Sequence, residues 1–347
     1  MRDRIRRLGV AALTCVSLTL AALSVTPASA WDRGEVETFV VLPAGTPMIE
    51  GLTVGRDGNV YVTTFDPAST TGAPALLFVF NDNGRLLRRV TIAGSSPATL
   101  GLAFHPTTHM LLVIDFGAGN VRSVDPQTGT SSVCITVTGA AGLNALTFDA
   151  AGNTYISDSF QGIIWKKTGP GCGAAAAWVT DPLLLPNGVP PFGANGVGFN
   201  KAETALFVAN TSTDRLIKIQ VTGGTPGTPL EFTNSINGAD GIVLDRDDNI
   251  WVAANQADEI VVVDPTGKAI AKLGDFDGVK NGVTRGLLFP ASPDFSKDGK
   301  SLFVTNLELD LRSIGGPQTV DSQWAAQVRR HSIAKLRARI PAIRDHD

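Results

Sequence analysis

Apolar and polar residues alternate along this chain in one short pattern that recurs. A variable residue and a small residue open the pattern, and apolar residues then alternate with other residues. The six copies are EGLTV (Glu50–Val54), LGLAF (Leu100–Phe104), NALTF (Asn144–Phe148), NGVGF (Asn195–Phe199), DGIVL (Asp240–Leu244) and RGLLF (Arg285–Phe289). A polar turn and a second apolar run follow each copy, as in GRDGN before VYVTT. Alternation with a period of two, bounded by Gly, Asp and Asn, predicts short β-strands joined by tight turns.

The spacing of the copies predicts how the strands assemble. Successive copies begin 44 to 51 residues apart, which is typical of propeller blades and too long for leucine-rich or hexapeptide solenoids. Most repeats have room for four strands, whereas the last has three, ending near QVRRHSI, and VETFVV (36–41) precedes the first repeat. Because closure removes exposed sheet edges, the sequence predicts an all-β, six-bladed β-propeller over residues 31–347. Its ring is closed by the N-terminal strand, which completes the last blade, and no convincing helical period appears after residue 30.

The first thirty residues have the composition of a signal peptide. Four arginines among residues 2–7 precede an apolar run from Leu8 to Val25, and PASA ends the segment with small residues. These features predict cleavage before Trp31 and a secreted or periplasmic protein. A membrane anchor is the rival interpretation, because the run is just long enough to span a bilayer.

Charge narrows the classes of partner. Without residues 1–30, the chain has 25 Lys and Arg against 31 Asp and Glu, a net charge near −6. This balance argues against nucleic acid and against anionic membrane surfaces as partners. Two cysteines remain after cleavage, Cys134 and Cys172, and the sequence leaves open both their pairing and the oligomeric state.

The first residues of the six copies carry the candidate chemistry. In a propeller the first strand of each blade lines the central channel, so these residues converge at one end of the axis. They are Glu50, Leu100, Asn144, Asn195, Asp240 and Arg285, and the next residue is Gly or Ala in every copy. Two carboxylates and two amides would be costly to bury unpaired, but their hard oxygen atoms suit Ca²⁺. The alternative is that each Asp or Asn only starts a strand as a turn residue.

These residues resemble those of a known family. The segments NGVGFNKAETALFVANTSTDRLIKI and DGIVLDRDDNIWVAANQADEIVVVDPTGK are similar to the senescence-marker-protein/gluconolactonase (regucalcin-like) calcium propellers. The resemblance implies that Glu50, Asn144, Asn195 and Asp240 are the metal ligands. The repeat LGLAFHPTTHMLLVIDFGAG also resembles the strictosidine-synthase-like branch.

Some positions depart from the family pattern. Members that act on sugar lactones usually have an Arg two residues before the second ligand and an Asp after it, whereas this chain has Gly142 and Ala145. A polar aldonolactone is therefore not the expected substrate. His105 and His109 fall in a turn at the opposite end of the channel, which argues against a histidine mechanism.

Several residues are candidates for catalysis and specificity. Asp240 is the candidate general base or nucleophile, or else only a ligand, and Arg285 either anchors an anionic substrate group or balances the carboxylates. The ends of the second strands supply further candidates near the same rim: Asp115, Asp158, Asn210, Asn255 and Asn306. The loop WVTDPLLLPNGVPPFGANG is predicted to form an apolar wall, to which Phe65, Phe116, Phe160 and Trp324 are candidate additions.

The sequence thus predicts an exported calcium-dependent hydrolase of a lactone or related ester, with an apolar small molecule as a candidate substrate. The alternative is a non-catalytic binding or interaction propeller with a structural calcium. A lyase or synthase-like activity is the third possibility.

Overall fold

Strands dominate residues 33–340, the part of the chain that this computed structural model describes. The predicted signal peptide, residues 1–30, lies outside the described residues, so signal cleavage and export stay predictions. Within 33–340 no helix is long and apolar enough to cross a membrane.

The described strands pair into antiparallel units of four, which we number one to six in chain order of their first strands. A leading strand β1 (Val36–Val41) is followed by unit one, with β2 (Ile49–Val54), β3 (Val60–Thr64), β4 (Leu76–Phe80) and β5 (Leu86–Thr91). Unit two has β6 (Thr99–Phe104), β7 (Leu111–Asp115), β8 (Asn120–Val124) and β9 (Ser131–Val137). Unit three has β10 (Leu143–Phe148), β11 (Thr154–Asp158), β12 (Ile163–Lys167) and β13 (Gly173–Thr180).

The later units are less regular. Unit four has β14 (Ala194–Phe199), β15 (Ala205–Asn210), β16 (Arg215–Thr222), the two-residue β17 (Thr225–Pro226) and β18 (Leu230–Thr233). Unit five has β19 (Ala239–Leu244), β20 (Ile250–Ala254), β21 (Glu259–Val263) and β22 (Ala269–Leu273). A separate hairpin, β23 (Phe276–Lys280) and β24 (Val283–Gly286), precedes unit six, which has β25 (Pro290–Phe295), β26 (Ser301–Asn306) and β27 (Ser332–Arg337).

The N-terminal strand belongs to unit six. Strand β1 pairs antiparallel with β27, giving the sheet order β1-β27-β26-β25. The third strand of this unit begins at Ser332, later than expected, because a 25-residue connection precedes it. That connection contains a 3-10 turn (Leu311–Ile314) and a short helix α1 (Val320–Ala325). A helix of six residues is too short to leave a clear 3.6-residue period in the sequence, so the apolar pattern does not reveal it.

The first strands of the units contact one another in the cyclic order β2, β6, β10, β14, β19, β25 and again β2. Side-chain hydroxyls bridge neighbouring units: Oγ1 of Thr305 in unit six donates to the carbonyl of Glu50 in unit one over 2.6 Å. Small residues are required where the strands meet. A Cβ on Gly51 would lie 2.1 Å from the carbonyl oxygen of Leu100, and one on Gly196 would lie 2.5 Å from that of Asp240. The neighbouring strands therefore approach so closely at this point that only a small residue fits.

The first strand of unit six begins at Pro290, not at Arg285. A Cβ on Gly241 would lie 2.4 Å from the carbonyl oxygen of Ala291. In the same way, Gly51 and Gly196 meet the carbonyl oxygens of Leu100 and Asp240, the first residues of the next repeat. Ala291 therefore occupies the position assigned to Arg285 in the sequence. The predicted register was wrong because RGLLF imitates the repeat pattern, whereas the true strand, PASPDF, contains two prolines and an Asp.

Apolar clusters hold adjacent units together. One cluster joins units three and four around Tyr155, Leu206 and Ile217, and another joins units five and six around Trp251 and Leu302. Each fully buried aliphatic or aromatic side chain of this kind contributes about 1.5–3 kcal/mol. Units two and three are also joined by a parallel pairing of β9 with β13 and by a disulfide between Cys134 and Cys172.

Candidate metal and substrate site

The four predicted metal ligands line one pocket. Glu50, Asn144, Asn195 and Asp240 come from units one, three, four and five, and each is only 4–5% exposed. The space at the pocket, including its opening to solvent, is about 370 Å³. The structure thus brings together four residues that lie up to 190 positions apart in the sequence.

A β-bulge lies at each of the four candidate ligand positions. In unit one, Ile49 pairs with Thr64 and Leu52 pairs with Val62, so Glu50 and Gly51 both face Thr63. The same shift occurs at the ligand position in units three, four and five. Two residues opposite one interrupt the ladder and turn a side chain out of the sheet. The bulge therefore explains how a residue near the start of each strand reaches the common pocket.

Hydroxyl groups orient the two amide ligands. Nδ2 of Asn195 donates to Oγ1 of Thr211 over 3.0 Å, and that hydroxyl donates to the carbonyl of Ala239 over 2.8 Å. Likewise, Nδ2 of Asn144 donates to Oγ of Ser159 over 3.0 Å, and Ser159 donates to the next unit. Because these bonds use the amide nitrogens, each Oδ1 is left as the second polar atom of its side chain, available to a cation.

The two carboxylates are buried without a balancing positive side chain in the pocket lining. Burial raises the pKa of Glu50 well above its ordinary value, and repulsion by Asp240 adds to the effect, while a hydrogen bond with Ser292 opposes it. Burial also raises the pKa of Asp240 to about 7, against hydrogen bonds from Asn255 and Asn195. Both shifts express the cost of holding two negative charges in a poorly solvated place.

The atoms present fit a hard cation. Oε2 of Glu50, Oδ1 of Asp240 and Oδ1 of Asn255 are buried and have no hydrogen-bond partner in the described part of the chain. Unsatisfied buried oxygen atoms are rare and costly, and a Ca²⁺ ion held by Glu50 and Asp240 would satisfy the two carboxylate oxygens. Across residues 33–340, no three His, Cys, Asp or Glu side chains form a group that could hold a metal ion. The set here is instead two carboxylates with amides, and its donors are all oxygen.

Of the five candidates at the ends of second strands, Asn255 alone lines this pocket. Its Nδ2 donates to Oδ2 of Asp240 over 2.9 Å. The side chains of the other four form hydrogen bonds with backbone groups. For example, Asn210 donates to the carbonyls of Leu183 and Leu185, and Asp158 accepts from the amide of Gly142 over 3.0 Å. Asp115 accepts from Ser96, and Asn306 accepts from Leu288, in the same manner.

Apolar residues form the rest of the pocket lining: Phe65, Leu100, Pro190, Phe192, Phe289, Leu307 and Leu309. Pro190 and Phe192 come from the loop predicted to form a wall. Phe65, Phe116, Phe160 and Phe192 make a continuous row, with successive ring centroids 5.9, 6.1 and 5.4 Å apart. A Cβ on Gly142 would lie 2.6 Å from Phe160, so an aromatic ring fills the space beside this glycine.

The sequence interpretation missed four pocket residues, and two of its candidates lie elsewhere. Thr211, Phe289, Leu307 and Leu309 were not singled out, although the alternation in LELDL (307–311) after a strand was an available signal for the two leucines. Arg285 lies exposed in β24 and does not line this pocket. Trp324 packs against Phe276 with centroids 5.3 Å apart. His105 is buried in the turn between β6 and β7, with Nδ1 accepting from the amides of Thr107 and Thr108.

Part of this chain matches the model of a known protein family. Residues 192–274 match the family model described as the SMP-30/gluconolactonase/LRE-like region. The chain carries an SMP-30/gluconolactonase-like region. This match confirms the family resemblance seen in the sequence, and the matched SMP-30/gluconolactonase-like region contains Asn195, Thr211, Asp240 and Asn255. A comparison with curated proteins finds no sequence match.

Several solved structures share the fold. A gluconolactonase from Xanthomonas campestris is 13% identical, with a TM-score of 0.60, over 88% of this chain and 91% of that protein. Regucalcin from Agrobacterium tumefaciens, described as a calcium-binding protein, is 17% identical, with a TM-score of 0.58, over 86% and 94%. Virginiamycin B lyase from Staphylococcus aureus is 12% identical, with a TM-score of 0.56, over 87% and 99%. At these identities the likeness establishes an all-β fold of the propeller type.

Proposed function

We propose that this protein is an exported calcium-dependent hydrolase that acts on a lactone or related ester. The observation that carries the proposal is the pocket in which Glu50, Asn144, Asn195 and Asp240 converge, with unpaired carboxylate oxygens among them. Export rests on the composition of residues 1–30.

The proposal includes a six-bladed propeller with a closed ring. The pairing of β1 with β27 supports closure, because one blade then contains both ends of the domain. The cyclic contacts of the six first strands support the blade count. In this arrangement the ligands sit on separate blades and are held by the rigidity of the whole ring.

Four side chains would hold the ion. Glu50 and Asp240 contribute charge, and Asn144 and Asn195 contribute amide oxygens whose orientation is set by Ser159 and Thr211. Four protein ligands leave two to four positions for water and substrate in the usual coordination of Ca²⁺. When bound, Ca²⁺ supplies Lewis-acid chemistry and polarises the carbonyl group of the substrate. The calcium-binding description of regucalcin, a structural relative, agrees with this assignment.

Hydrolysis of a lactone consumes one water molecule. The water oxygen bonds to the carbonyl carbon, the bond from that carbon to the ring oxygen breaks, and the ring oxygen receives a proton, which leaves a hydroxy acid. Asp240 is the candidate that accepts the proton of the water, because its Oδ1 has no hydrogen-bond partner within residues 33–340, while Asn255 holds its Oδ2. The pocket walls provide orientation and exclude bulk water.

A specific observation favours a non-catalytic binding role as the second candidate. Glu50 and Asp240 are the two titratable side chains in the lining of this pocket, and both are assigned to the ion. If metal binding uses both carboxylates fully, the lining leaves no separate group for proton transfer. The protein would then hold a ligand at a structural calcium without turning it over.

The deciding experiment measures hydrolysis of a panel of lactones and aryl esters with calcium and with EDTA. Asp240→Asn and Asn195→Ala test the site. Asp247→Asn is the matched control, because it removes an exposed carboxylate from a turn of the same unit. Turnover that requires calcium, is lost in both site variants and persists in the control supports the hydrolase. A folded protein that binds calcium tightly but hydrolyses no member of the panel contradicts it and supports the binding role.

A further inference from the structure

The two sides of the pocket differ in chemistry. The residue that follows the second strand is Ser159, Thr211 and Asn255 in units three, four and five, but Leu307, Phe65 and Phe116 in units six, one and two. The ladder register makes these six positions equivalent. The ligand positions follow the same division: units three to five have Asn144, Asn195 and Asp240, whereas units six and two have Ala291 and Leu100. Glu50 in unit one is the exception.

Connecting segments extend the apolar side. Leu307 and Leu309 follow β26 and line the pocket, and Phe289 joins them from the segment before β25. The amide of Leu307 donates to the carbonyl of Phe289 over 3.1 Å, and the amide of Phe289 donates to Oδ1 of Asp258 over 2.7 Å. These bonds fix the wall, because they tie its two segments to each other and to unit five.

The apolar wall is continuous with the protein core. Phe65, Leu100, Phe289, Leu307 and Leu309 are each 5% exposed or less and belong to one buried cluster. Side chains in a close-packed cluster keep their positions. The wall is therefore a preformed surface with no hydrogen-bonding side chain to offer a ligand, apart from the carboxylate of Glu50.

We propose that the substrate is amphipathic, with an aliphatic or aromatic substituent on the carbonyl-bearing head. The head lies over the ligands of units three to five, and the substituent packs on the wall formed by Phe65, Leu100, Phe289, Leu307 and Leu309. Leu100 and Leu307 determine specificity for the substituent. This inference rests on the proposed function, and it names the class of lactone or ester that the pocket takes.

The physical reason is a difference in desolvation. Each methylene group that leaves water for this wall should raise affinity about 4-fold. A hydroxyl group in the same place would lose its bonds to water and find no partner, which should lower affinity about 10-fold or more. A polyhydroxylated lactone is therefore disfavoured relative to an alkyl lactone of the same ring size.

The test uses two series of compounds. The first is γ-lactones with unbranched alkyl substituents of increasing length, with glucono-δ-lactone as the polyhydroxylated comparison, and kcat/KM is measured in excess calcium. The second is the matching γ-lactams, which resist hydrolysis, and their dissociation constants are measured by calorimetry on the same calcium-loaded protein. Because the lactams are not hydrolysed, their dissociation constants measure contact with the wall whether or not the protein is a hydrolase.

Variants of Leu100 and Leu307 test whether these residues form the wall that binds the substituent. Leu100→Asn and Leu307→Asn place an amide in it, and Leu100→Met keeps it apolar with a similar volume. Leu87→Asn is the matched control, because Leu87 is 40% exposed on β5 and outside the pocket lining. Calcium affinity and the thermal midpoint are measured for each variant, and Leu307→Ala replaces any variant that does not fold.

The expected result is lactam affinity that rises about 4-fold per methylene until the wall is covered. The rise should flatten in Leu100→Asn and Leu307→Asn and persist in Leu100→Met and Leu87→Asn. Chain-length dependence of lactam binding without any lactone turnover supports this inference and contradicts the hydrolase. Turnover without chain-length dependence, or glucono-δ-lactone as the best substrate, supports the hydrolase and overturns the inference.

Discussion

The Nδ2 group of Asn255 donates a hydrogen bond to Oδ2 of Asp240 over 2.9 Å. Among the described residues Oδ1 of Asp240 then has no hydrogen-bond partner, and neither has Oε2 of Glu50 in the same pocket lining. Asn255 thereby holds the carboxylate in one orientation. The same logic applies to the amide ligands, which Ser159 and Thr211 hold by their nitrogen atoms.

Loss of either carboxylate should abolish tight calcium binding. Glu50→Gln and Asp240→Asn each remove one charge from the ligand set, and ligand charge sets the affinity of calcium sites. We expect calcium affinity, measured by calorimetry, to fall by about 100-fold or more, since loss of a supporting residue alone costs 10–100-fold. The exposed Asp247→Asn should bind calcium as the wild type does. Unchanged affinity in Glu50→Gln would contradict the assignment of this ligand.

Thr211 should matter for calcium through its hydroxyl. Thr211→Val keeps the shape but removes the acceptor that orients Asn195, so we expect calcium affinity to fall about 10-fold. Thr213→Val is the matched control, because the hydroxyl of Thr213 lies in the same turn, is buried and has no hydrogen-bond partner in the described part of the chain. Equal effects of the two variants on calcium affinity would contradict an orienting role for Thr211.

The metal-free protein should become more stable when Glu50 is neutralised. Without a cation, Glu50 and Asp240 are buried like charges, and burial and repulsion raise the pKa of Glu50. Glu50→Gln should therefore increase the free energy of unfolding in EDTA by about 1–3 kcal/mol. In saturating calcium the order should reverse, because ion binding stabilises the wild type. Urea unfolding in both conditions measures the change, and a lower stability of Glu50→Gln in EDTA would refute the prediction.

Asp294 should make stability depend on pH. Burial raises its pKa to about 6, although it accepts hydrogen bonds from the amides of Val54 and Phe295. Because the folded protein holds this proton more tightly than the unfolded chain, the contribution of Asp294 is fully present below pH 4 and is lost as pH rises through 6. Between pH 4 and pH 6 the ionisation of Asp294 should lower the free energy of unfolding of the wild type by on the order of 3 kcal/mol, and Asp294→Asn should lack this decrease. Thermal midpoints of the variant and wild type across pH 4–7 test this, and parallel curves would contradict it.

Reduction of the disulfide should weaken the contact between units two and three. Cys134 and Cys172 close a loop with a sequence separation of 38. A crosslink over that separation raises the free energy of the unfolded chain by about 3–4 kcal/mol, because it removes conformational entropy. We expect a reductant to lower the free energy of unfolding by this amount. The double variant Cys134→Ser/Cys172→Ser should be equally unstable with and without reductant. A wild type unaffected by full reduction would contradict the prediction.

Local patterns determined much of this fold in advance. Alternating apolar residues and the small residues after each ligand position identified the first strands of units one to five, because period-two alternation and backbone crowding act within a few residues. The same register placed Glu50, Asn144, Asn195 and Asp240 in one row. The first strand of unit six was not predicted, because Pro290, Pro293 and Asp294 do not follow the apolar alternation. The structure identifies this strand by its contacts with the neighbouring units, which contain Glu50 and Gly241.

The sequence by itself thus determined the repeat, the strand order within each repeat and the row of candidate oxygen ligands. Tertiary structure decided which side chains share the pocket with them. Asn255 and the equivalent Thr211 line the pocket, whereas Asn210, one position earlier, donates to the carbonyls of Leu183 and Leu185 in the loop before β14. The apolar wall combines Phe65, Leu100 and Leu307, which lie up to 242 positions apart. The physical reason is that ladder register and turn chemistry are local, whereas a pocket wall forms only when distant segments pack.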